Sequence, residues 1–217
     1  MDIAIEIPGV ALGVIEAAAV RVSFASEALA AEMDAVCERL RSELTVEQVA
    51  ELPAIGDVRA MFRAWGVDPS RYRPSAEALL RRVVQGKGLY RVSNVVDINN
   101  LISIETGWPG GSYDLARILP PVALRLGRAG EKYQGIGKQV WHLEGRPVLA
   151  DAHGPFGSPI SDSTRTMVTE ATVELLAVNY APAASDAATL GRAIERQARL
   201  LERHAGARIC ATPTLRQ

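Results

Sequence analysis

The stretch from Asn94 to Ile118 constrains the fold more than any other part of the sequence. At helical period, its first half has hydrogen-bonding side chains on one face and apolar side chains on the other. The polar face comprises Asn99, Ser103 and Thr106, and the apolar face comprises Val95, Ile98, Leu101 and Ile102. We therefore expect a helix that packs into the core on one side and borders a polar site on the other.

Gly107 and the turn Pro109-Gly110-Gly111 follow this helix directly. Glycine readily adopts the left-handed conformation that ends a helix, and a proline followed by two glycines favours a tight turn. The backbone N–H groups of such a turn can lie open to a ligand. The whole stretch thus predicts the floor of a small polar pocket.

The chain before this stretch moves from strand patterns to helix patterns. Ile3, Ile5 and Ile7 recur at every second residue and predict a short strand, and residues 10–22 predict a second, mostly buried strand. The predicted helices begin after Ser26, at the capping-box pair Thr45 and Gln48, at a cap formed by Asp57, and at Pro74.

The chain after the stretch turns to β-structure. The predicted elements are a strand at 122–126, a hairpin of residues 138–143 and 146–150, a strand at 172–180, a helix capped by Ser185, and a closing strand at 207–211. The hairpin prediction depends on Glu144-Gly145, which suits a two-residue loop.

Length and composition set the domain organisation. With 217 residues, 48% of them hydrophobic, the chain can bury a sizeable core, and we expect one domain over residues 1–217. Its motifs fall in a core of residues 57–180, and a C-terminal helix and strand occupy residues 185–212.

Charge and hydropathy argue against several classes of function. The formal net charge of -1 gives no overall attraction to nucleic acid, so an RNA contact needs a local basic patch, and no DNA partner is expected. The longest apolar stretch is too short to span a bilayer, and the N-terminus lacks the pattern of a signal peptide. We expect a cytoplasmic protein without a membrane role, of open oligomeric state.

The two cysteines, Cys37 and Cys210, are isolated from each other and from the histidines. They are too few for a disulfide framework or a zinc site, and each is expected as a thiol. The sequence therefore predicts no metal and no cofactor.

Residues 59–91 have the most marked charge asymmetry, because eight cations are opposed by Asp68 and Glu77 alone. One interpretation is a phosphate-binding patch for an RNA backbone. The alternative is a set of solvated arginines on helix faces, and the sequence favours neither. The candidate RNA-binding residues are Arg71, Arg73, Arg81, Arg82, Lys87 and Arg91.

A second polar cluster lies near residue 160. Residues 151–159 form a glycine-rich loop, and residues 161–166 place hydroxyl groups around the guanidinium of Arg165. The sequence has no phosphate loop, dinucleotide fingerprint, serine elbow or His-Glu-x-x-His motif. His153 is the one histidine placed for acid–base chemistry, and the neighbouring Asp151 is the second catalytic candidate. A turn histidine without a catalytic role is the alternative.

Together the two polar clusters predict a binding site. Amides and open backbone N–H groups suit an amino group, a carbonyl or a ribose hydroxyl, and a guanidinium suits a carboxylate or phosphate. The candidates are Asn99, Asn100, Gly110, Gly111, Asp114, Arg165, Thr166 and the backbone around Gly154 and Gly157. Each has a structural alternative: the asparagines bridge loops, Asp114 caps a turn, and Arg165 pairs with Asp162.

Four runs of the sequence resemble the freestanding B3/B4-domain proteins, which are similar to the B3/B4 editing domain of the phenylalanyl-tRNA synthetase beta subunit. The runs begin at Trp65-Gly-Val-Asp-Pro, at Asn94-Val-Val-Asp-Ile-Asn-Asn, at Gly107-Trp-Pro-Gly-Gly and at Asp162-Ser-Thr-Arg-Thr. The resemblance covers most of the chain. It implies an α+β fold, a single mixed domain with central β-sheets flanked by helices.

The synthetase domain hydrolyses tyrosine wrongly attached to the phenylalanine tRNA, and the resemblance carries part of its pocket to this chain. Asn100 matches the pocket asparagine, and Pro109 matches the proline of a Gln-Pro-x-His segment. The loop from Gly154 to Ser158 resembles a glycine-rich pocket wall. The resemblance thus implies tRNA or aminoacyl-tRNA as the partner.

Two groups that read the tyrosine hydroxyl in the synthetase have no match here. Gly111 stands where the segment has histidine, and no acid aligns with the pocket glutamate near residues 175–177. Glu174 reaches that position only with a shift of register. A site built on such hydrogen bonds discriminates strongly through them, so the resemblance does not extend to tyrosine specificity.

Three hypotheses follow from the sequence. The first is a hydrolase that acts in trans on mischarged aminoacyl-tRNA, with a water as the nucleophile and no protein base. The second is a non-catalytic RNA-binding or tRNA-binding module that depends on the basic segment. The third is a pocket that takes a free amino acid or another small metabolite.

Overall fold

The computed structural model describes residues 1–24, 26–137, 139–210 and 214–216, the last three through their backbone. Its helices are α1 (Glu27–Glu43), α2 (Val46–Val49), α3 (Pro53–Ala64), α4 (Ser75–Arg82), α5 (Asn94–Thr106) and α6 (Ala187–Ala205). Its strands are β1 (Ile3–Ile5), β2 (Val10–Ala18), β3 (Gly110–Asp114), β4 (Val122–Leu126), β5 (Lys132–Gln134), β6 (Val140–His142), β7 (Pro147–Asp151), β8 (Gly154–Gly157), β9 (Leu175–Pro182), β10 (Arg208–Ile209) and β11 (Thr214–Arg216).

The strands form two larger sheets and a two-stranded ribbon within the described residues. One sheet has the order β1-β4-β7-β8, in which β1 and β4 are parallel and the other pairs are antiparallel. The other is antiparallel with the order β10-β2-β9-β3, and β11 also pairs with β2. The ribbon joins β5 and β6. The α+β fold class predicted from the sequence is confirmed.

The core lies around β9, in which all eight residues are buried. Helix α6 packs directly on β2, where a Cβ at Gly13 would lie 2.7 Å from Ile194 Cδ1. A side chain at this position would force Ile194 or α6 to move, so Gly13 allows this helix to pack closely on the sheet.

Helix α5 is the central helix, because both its faces are buried. Ser93 caps its N-terminus by accepting the N–H of Val96 at 3.4 Å, and Gly107 ends it in the left-handed conformation at φ 75°. The carboxamide of Asn94 donates to the carbonyls of Arg21 and His204, which ties α5 to two other segments. The predicted helix and its glycine stop are both confirmed.

Several predicted elements are wrong in pairing or position. The predicted hairpin does not form, because β6 pairs with β5 while β7 pairs with β4 and β8. The turn at Gly145 instead leads the chain from the ribbon into the sheet, and its N–H bonds the carbonyl of Gly127. Residue 138 of that prediction lies outside the described residues.

The ends of other elements also differ from the sequence prediction. Helix α3 begins at Pro53 rather than at Asp57, since a proline suits the first helical position, where its missing N–H group would have no partner within the helix. Asp186, not Ser185, caps α6 by accepting the N–H of Thr189 at 2.9 Å. Strand β2 stops at Ala18, and β9 covers Leu175–Pro182.

The predicted closing strand is shorter than expected, at Arg208–Ile209, and its residue 211 lies outside the described residues. In the part of the chain that the structure describes, no helix is both long and apolar enough to cross a membrane.

Candidate functional site

A cavity of about 320 Å³ lies where α4, α5 and β3 meet the segment of residues 162–168. Asn99, Asn100 and Gly110, all predicted as site residues, line it. The further wall residues are Ser75, Leu79, Val92, Val96, Ser103, Ser112, Ile136, Asp162, Met167 and Val168. The structure therefore brings Asn99 and Ser103 of the predicted polar face and the start of the glycine turn to one cavity. Thr106, the third residue of that face, is not on the wall, and its hydroxyl donates to the Ile102 carbonyl at 2.8 Å.

Two polar side chains on the cavity wall keep buried oxygens without a hydrogen-bond partner. Asn99 donates from Nδ2 to the Gly110 carbonyl at 3.2 Å, while its Oδ1 has no hydrogen-bond partner among the described residues. The hydroxyl of Ser112 is also buried and unpaired. Because an unsatisfied buried polar group costs about 1–3 kcal/mol, such groups on one cavity wall are typical of a site that a ligand completes.

Gly110 is required by this arrangement. A Cβ at Gly110 would lie 2.7 Å from Asn99 Oδ1 and 3.3 Å from Asn179 Oδ1. A larger residue would push the Asn99 carboxamide out of position. The glycine therefore leaves room for the carboxamide of Asn99, on the cavity wall, and for that of Asn179.

Asp162 supplies the acidic group of the cavity, and the sequence did not identify this role. Its Oδ1 accepts the Tyr113 hydroxyl at 2.8 Å and the Ser158 N–H at 3.0 Å. Burial raises the pKa of Asp162 to about 6, although these two hydrogen bonds act in the opposite direction. Glu174, the acid considered from the sequence, is exposed and does not line the cavity.

Tyr113 stands behind the cavity and explains two of the predicted glycines. Its ring is fully buried, and its hydroxyl lies 3.2 Å from the Tyr180 hydroxyl. A Cβ at Gly111 would lie 2.1 Å from the Tyr113 oxygen, and one at Gly157 would lie 2.4 Å from it. These glycines make room for the phenol and do not line the cavity themselves.

Ser158 shapes the loop that carries Asp162. Its hydroxyl donates to the Ser161 carbonyl at 2.7 Å and accepts the N–H groups of Ile160 and Ser161 at 3.2 and 3.0 Å. The end of the glycine-rich segment thus fixes the backbone around the Asp162 carboxylate. The segment does not line the cavity, so the predicted wall of open N–H groups is wrong.

Arg165 does not reach the cavity, which corrects the predicted convergence of the two polar clusters. Its guanidinium donates to both oxygens of Asp151, at 3.0 and 2.9 Å, and to the Gly154 carbonyl at 3.2 Å. Asp151 also accepts the N–H groups of Leu119 and His153, each at 2.9 Å. Arg165 and the two backbone N–H groups therefore satisfy the charge and the acceptors of the buried Asp151 carboxylate, and neither side chain is free to bind a ligand in the cavity.

The Asp151–Arg165 pair also argues against the weak catalytic candidates. Although burial alone would raise the pKa of Asp151, the hydrogen bonds from Arg165 and the Leu119 N–H lower it. A carboxylate with four donors has little basicity left. His153 is exposed and lies outside the cavity wall, so neither residue contacts the space where a ligand would bind.

The remaining candidates hold the structure around the cavity. Asp114 accepts the N–H of Ala116 at 3.2 Å and the Thr172 hydroxyl at 3.0 Å, and so caps a turn, the structural alternative considered from the sequence. Thr166 is fully buried, and its carbonyl accepts the N–H of Asp114. The carbonyl of Pro109 accepts the N–H of Tyr180 at 2.8 Å.

A second, more open depression of about 400 Å³ also borders α4, and we call it the basic hollow. Its walls are Arg73, Ala78, Arg81, Arg82, Gln85, Lys87 and Tyr90. Arg82 stacks on the ring of Tyr90, with Cζ 3.9 Å from the ring centroid. Cations beside an exposed aromatic ring suit the phosphates and bases of a single-stranded nucleic acid.

The hollow includes four of the six predicted RNA-binding residues. The buried carboxylate of Glu77 lies 3.0 Å from Arg81 Nε and 3.6 Å from Arg73 Nε, which holds these two side chains together. Arg91 lies elsewhere and pairs with Asp34 at 2.5 Å. Arg71 stacks on Tyr72 outside the hollow, with 5.1 Å between Cζ and the ring centroid.

The structure thus defines a mixed α/β domain in which an acidic, largely apolar cavity and a basic hollow both border one helix, α4. The B3/4 domain family model matches residues 57–206, the greater part of the chain. The protein belongs to the B3/4 domain family. The family predicted from the four sequence runs is therefore confirmed.

Similar proteins include phenylalanine–tRNA ligase beta subunits. The subunit of Chromobacterium violaceum is 35% identical over 80 residues, which cover 36% of this chain and 10% of the relative. That of Xanthomonas euvesicatoria is 34% identical over 117 residues, which cover 48% and 14%. The chain thus matches only a small part of each relative's length.

Among solved structures, one match is an N-terminal fragment of the phenylalanyl-tRNA synthetase beta subunit from Pyrococcus horikoshii. It has a TM-score of 0.46 and 14% sequence identity, and the match covers 96% of this chain and 50% of that chain.

Proposed function

We propose that the protein binds the aminoacylated end of a tRNA and hydrolyses the ester of a mischarged amino acid. The observation that carries this proposal is the shared helix α4. Ser75 and Leu79 face the cavity, while Arg81 and Arg82 face the basic hollow. A ligand with an apolar aminoacyl group and nearby phosphates would place the aminoacyl group in the cavity and the phosphates in the basic hollow.

The chemistry needs few groups from the protein. Water adds to the ester carbonyl carbon, the bond to the ribose oxygen breaks, that oxygen takes a proton, and the amino acid leaves as the acid. Asn100, half-buried on the cavity wall, is placed to donate to the carbonyl as negative charge develops on it. A terminal ribose hydroxyl of the tRNA would assist the water.

The relatives support tRNA as the partner class, because both are beta subunits of a phenylalanine–tRNA ligase. The matched regions cover only a small fraction of those subunits, so charging of tRNA is not part of the proposal. A tRNA ligand also agrees with the cytoplasmic location expected from the sequence.

Release of amino acid from a panel of mischarged tRNAs tests the proposal. We expect release from at least one tRNA, and a rate at least tenfold lower for Asn100→Ala with an unchanged melting temperature. Arg199→Ala is the matched control, since that guanidinium is 67% exposed on α6, outside both depressions. If every mischarged tRNA in the panel stays intact, the hydrolase proposal fails.

A non-catalytic RNA-binding module is the second candidate, and the basic hollow favours it. In that case Arg82→Ala would weaken RNA binding and reduce the slope of log affinity against log salt by about 1, while no ester is cleaved. If RNA does not bind at all, both candidates fail.

A further inference from the structure

The charge of the cavity wall limits what the cavity can bind. Among the wall residues in the described part of the chain, Asp162 is the only charged side chain. Its two hydrogen-bond partners, Tyr113 and Ser158, are neutral. Asn99 and Ser112 add unpaired oxygens to the same wall. The cavity therefore presents negative charge and acceptors to a ligand, and the donors on its wall are neutral hydroxyl and carboxamide groups such as those of Ser112 and Asn100.

A wall of this kind favours a ligand that brings hydrogen-bond donors and positive charge. A ligand carboxylate would be repelled by Asp162 and would meet no cationic side chain on the described wall. Leu79, Val96 and Met167 supply apolar surface beside the acceptors. The complementary ligand is thus an apolar group that carries an amino group and no carboxylate.

We propose that Asp162 reads the protonated amino group of an aminoacyl ester with an apolar side chain, and that the cavity excludes the corresponding free amino acid. This inference rests on the proposed function, since the ester is the form in which a tRNA would present the amino acid. Esterification removes the carboxylate charge that the cavity cannot accommodate. Asp162 thereby determines specificity and need not take part in bond cleavage.

The surroundings of Asp162 suit this role. Within the described part of the chain, both hydrogen bonds to the carboxylate fall on Oδ1, and Oδ2 is the oxygen that we assign to a ligand. The titratable groups that face it are the phenols of Tyr113 on β3, Tyr180 on β9 and Tyr133 on β5. Burial raises the pKa of each phenol above its usual value, so they remain neutral while Asp162 ionises.

Calorimetric titration with small amides tests the inference without tRNA or hydrolysis. The probes are the amides of L-alanine, L-valine, L-leucine and L-phenylalanine at pH 7, each compared with its N-acetyl derivative and its free amino acid. We expect at least one amide to bind, and its N-acetyl derivative and free amino acid to bind at least tenfold more weakly. If no amide binds, or if all three forms bind equally, the inference is overturned.

Asp162→Asn is the matched variant, because the amide oxygen can still accept from Tyr113 and Ser158. Its affinity for the best amide should fall at least tenfold, to that of the N-acetyl derivative, which should bind both proteins alike. An unchanged affinity for the amide would contradict a role for Asp162.

The pH dependence of amide binding distinguishes a ligand contact from a purely structural role of Asp162, because a structural role alone would leave it unchanged. Binding of the amide to the wild-type protein should weaken as the pH falls through about 6, because the carboxylate then takes a proton. Tyr113→Phe removes a donor that lowers the pKa of Asp162, so the midpoint should move to higher pH. A profile that is flat, or the same in both proteins, would overturn the inference.

The outcomes separate the two proposals. If amides bind as expected but no mischarged tRNA is cleaved, only the hydrolase proposal fails. If tRNA is cleaved while Asp162→Asn leaves both cleavage and amide binding unchanged, only the role of Asp162 fails.

Discussion

Asp151 and Asp162 lie in the same glycine-rich and hydroxyl-rich part of the chain, yet their surroundings differ in kind. Asp151 is held by two nitrogens of Arg165 and two backbone N–H groups. Asp162 has two neutral donors and a cavity. The pKa of Asp151 is lowered despite its burial, and burial raises the pKa of Asp162 to about 6.

The difference shows how a structural acid is told apart from one that awaits a ligand. A buried carboxylate with a counter-charge and all its donors in place contributes to the fold, and its charge is already balanced. A carboxylate without a cation, beside unpaired acceptors, keeps a cost that a cationic ligand can relieve. Proximity in the sequence does not distinguish the two, whereas the available partners do.

The largest effect is expected when the closed ion pair is broken. Asp151→Ala would leave Arg165, two-thirds buried, without its carboxylate and two N–H groups without acceptors, so the free energy of unfolding should fall by about 3–5 kcal/mol. Urea denaturation at pH 7 measures this. Arg192→Ala, at an exposed pair with Asp186, should change it by less than about 0.5 kcal/mol.

Binding of amides to the folded fraction of the Asp151→Ala protein should be unchanged. A loss of stability below about 1 kcal/mol would contradict the structural role of the pair, and a selective loss of amide binding would place Asp151 in the site after all.

At Asp162 a substitution should raise the free energy of unfolding instead of lowering it, since Asp162→Asn removes a charge that no cation balances. Its pKa is about 6 in the folded protein and about 4 in the unfolded chain, so the unfolded chain ionises first as the pH rises. The wild type should therefore lose stability relative to the variant between about pH 4 and 6. Above pH 6 the variant should be more stable by up to about 3 kcal/mol.

Denaturant titrations at pH 4, 5, 6 and 8 check this difference. A variant that is less stable than the wild type at pH 8 would show that Asp162 is a structural acid like Asp151, and the comparison between the two regions would no longer hold.

Gly111→Ala should displace Tyr113, whose hydroxyl donates to Asp162. The added Cβ would lie 2.1 Å from the hydroxyl of the fully buried Tyr113, so we expect a loss of about 1–3 kcal/mol from overpacking. Gly191→Ala is the control, since a Cβ there meets nothing within 4 Å and α6 should gain up to about 1 kcal/mol. Thermal unfolding of both variants should give shifts of opposite sign.

The smallest effect is expected at Ser112, whose buried hydroxyl has no hydrogen-bond partner in the part of the chain that the structure describes. Ser112→Ala removes the unsatisfied group, so the free energy of unfolding should stay the same or rise by up to about 1 kcal/mol. Chemical denaturation measures the free energy of unfolding of this variant and of Ser158→Ala for comparison. The Ser158 hydroxyl makes three hydrogen bonds, so its loss should destabilise the protein. A clear loss of stability in Ser112→Ala would mean that its hydroxyl is satisfied in solution.

The sequence alone determined the features that depend on neighbouring residues. The two-faced helix ending at Gly107 follows from helical period and from the backbone freedom of glycine, and both are local properties. The same stretch identified Asn99, Asn100 and Gly110 as wall residues of one cavity. The family was also readable, since short runs of residues carry it.

Only the tertiary structure decided which of the two carboxylates is paired with a cation of the protein, Asp151, and which borders a cavity, Asp162. Tyr113 reaches Asp162 across 49 positions of the chain, and Leu119 reaches Asp151 across 32. The sheet pairing that turned β7 away from β6 is equally non-local. Charge balance at a buried group depends on partners that folding brings together, and for that reason the roles of Asp162 and Arg165 could not be read from their positions in the sequence.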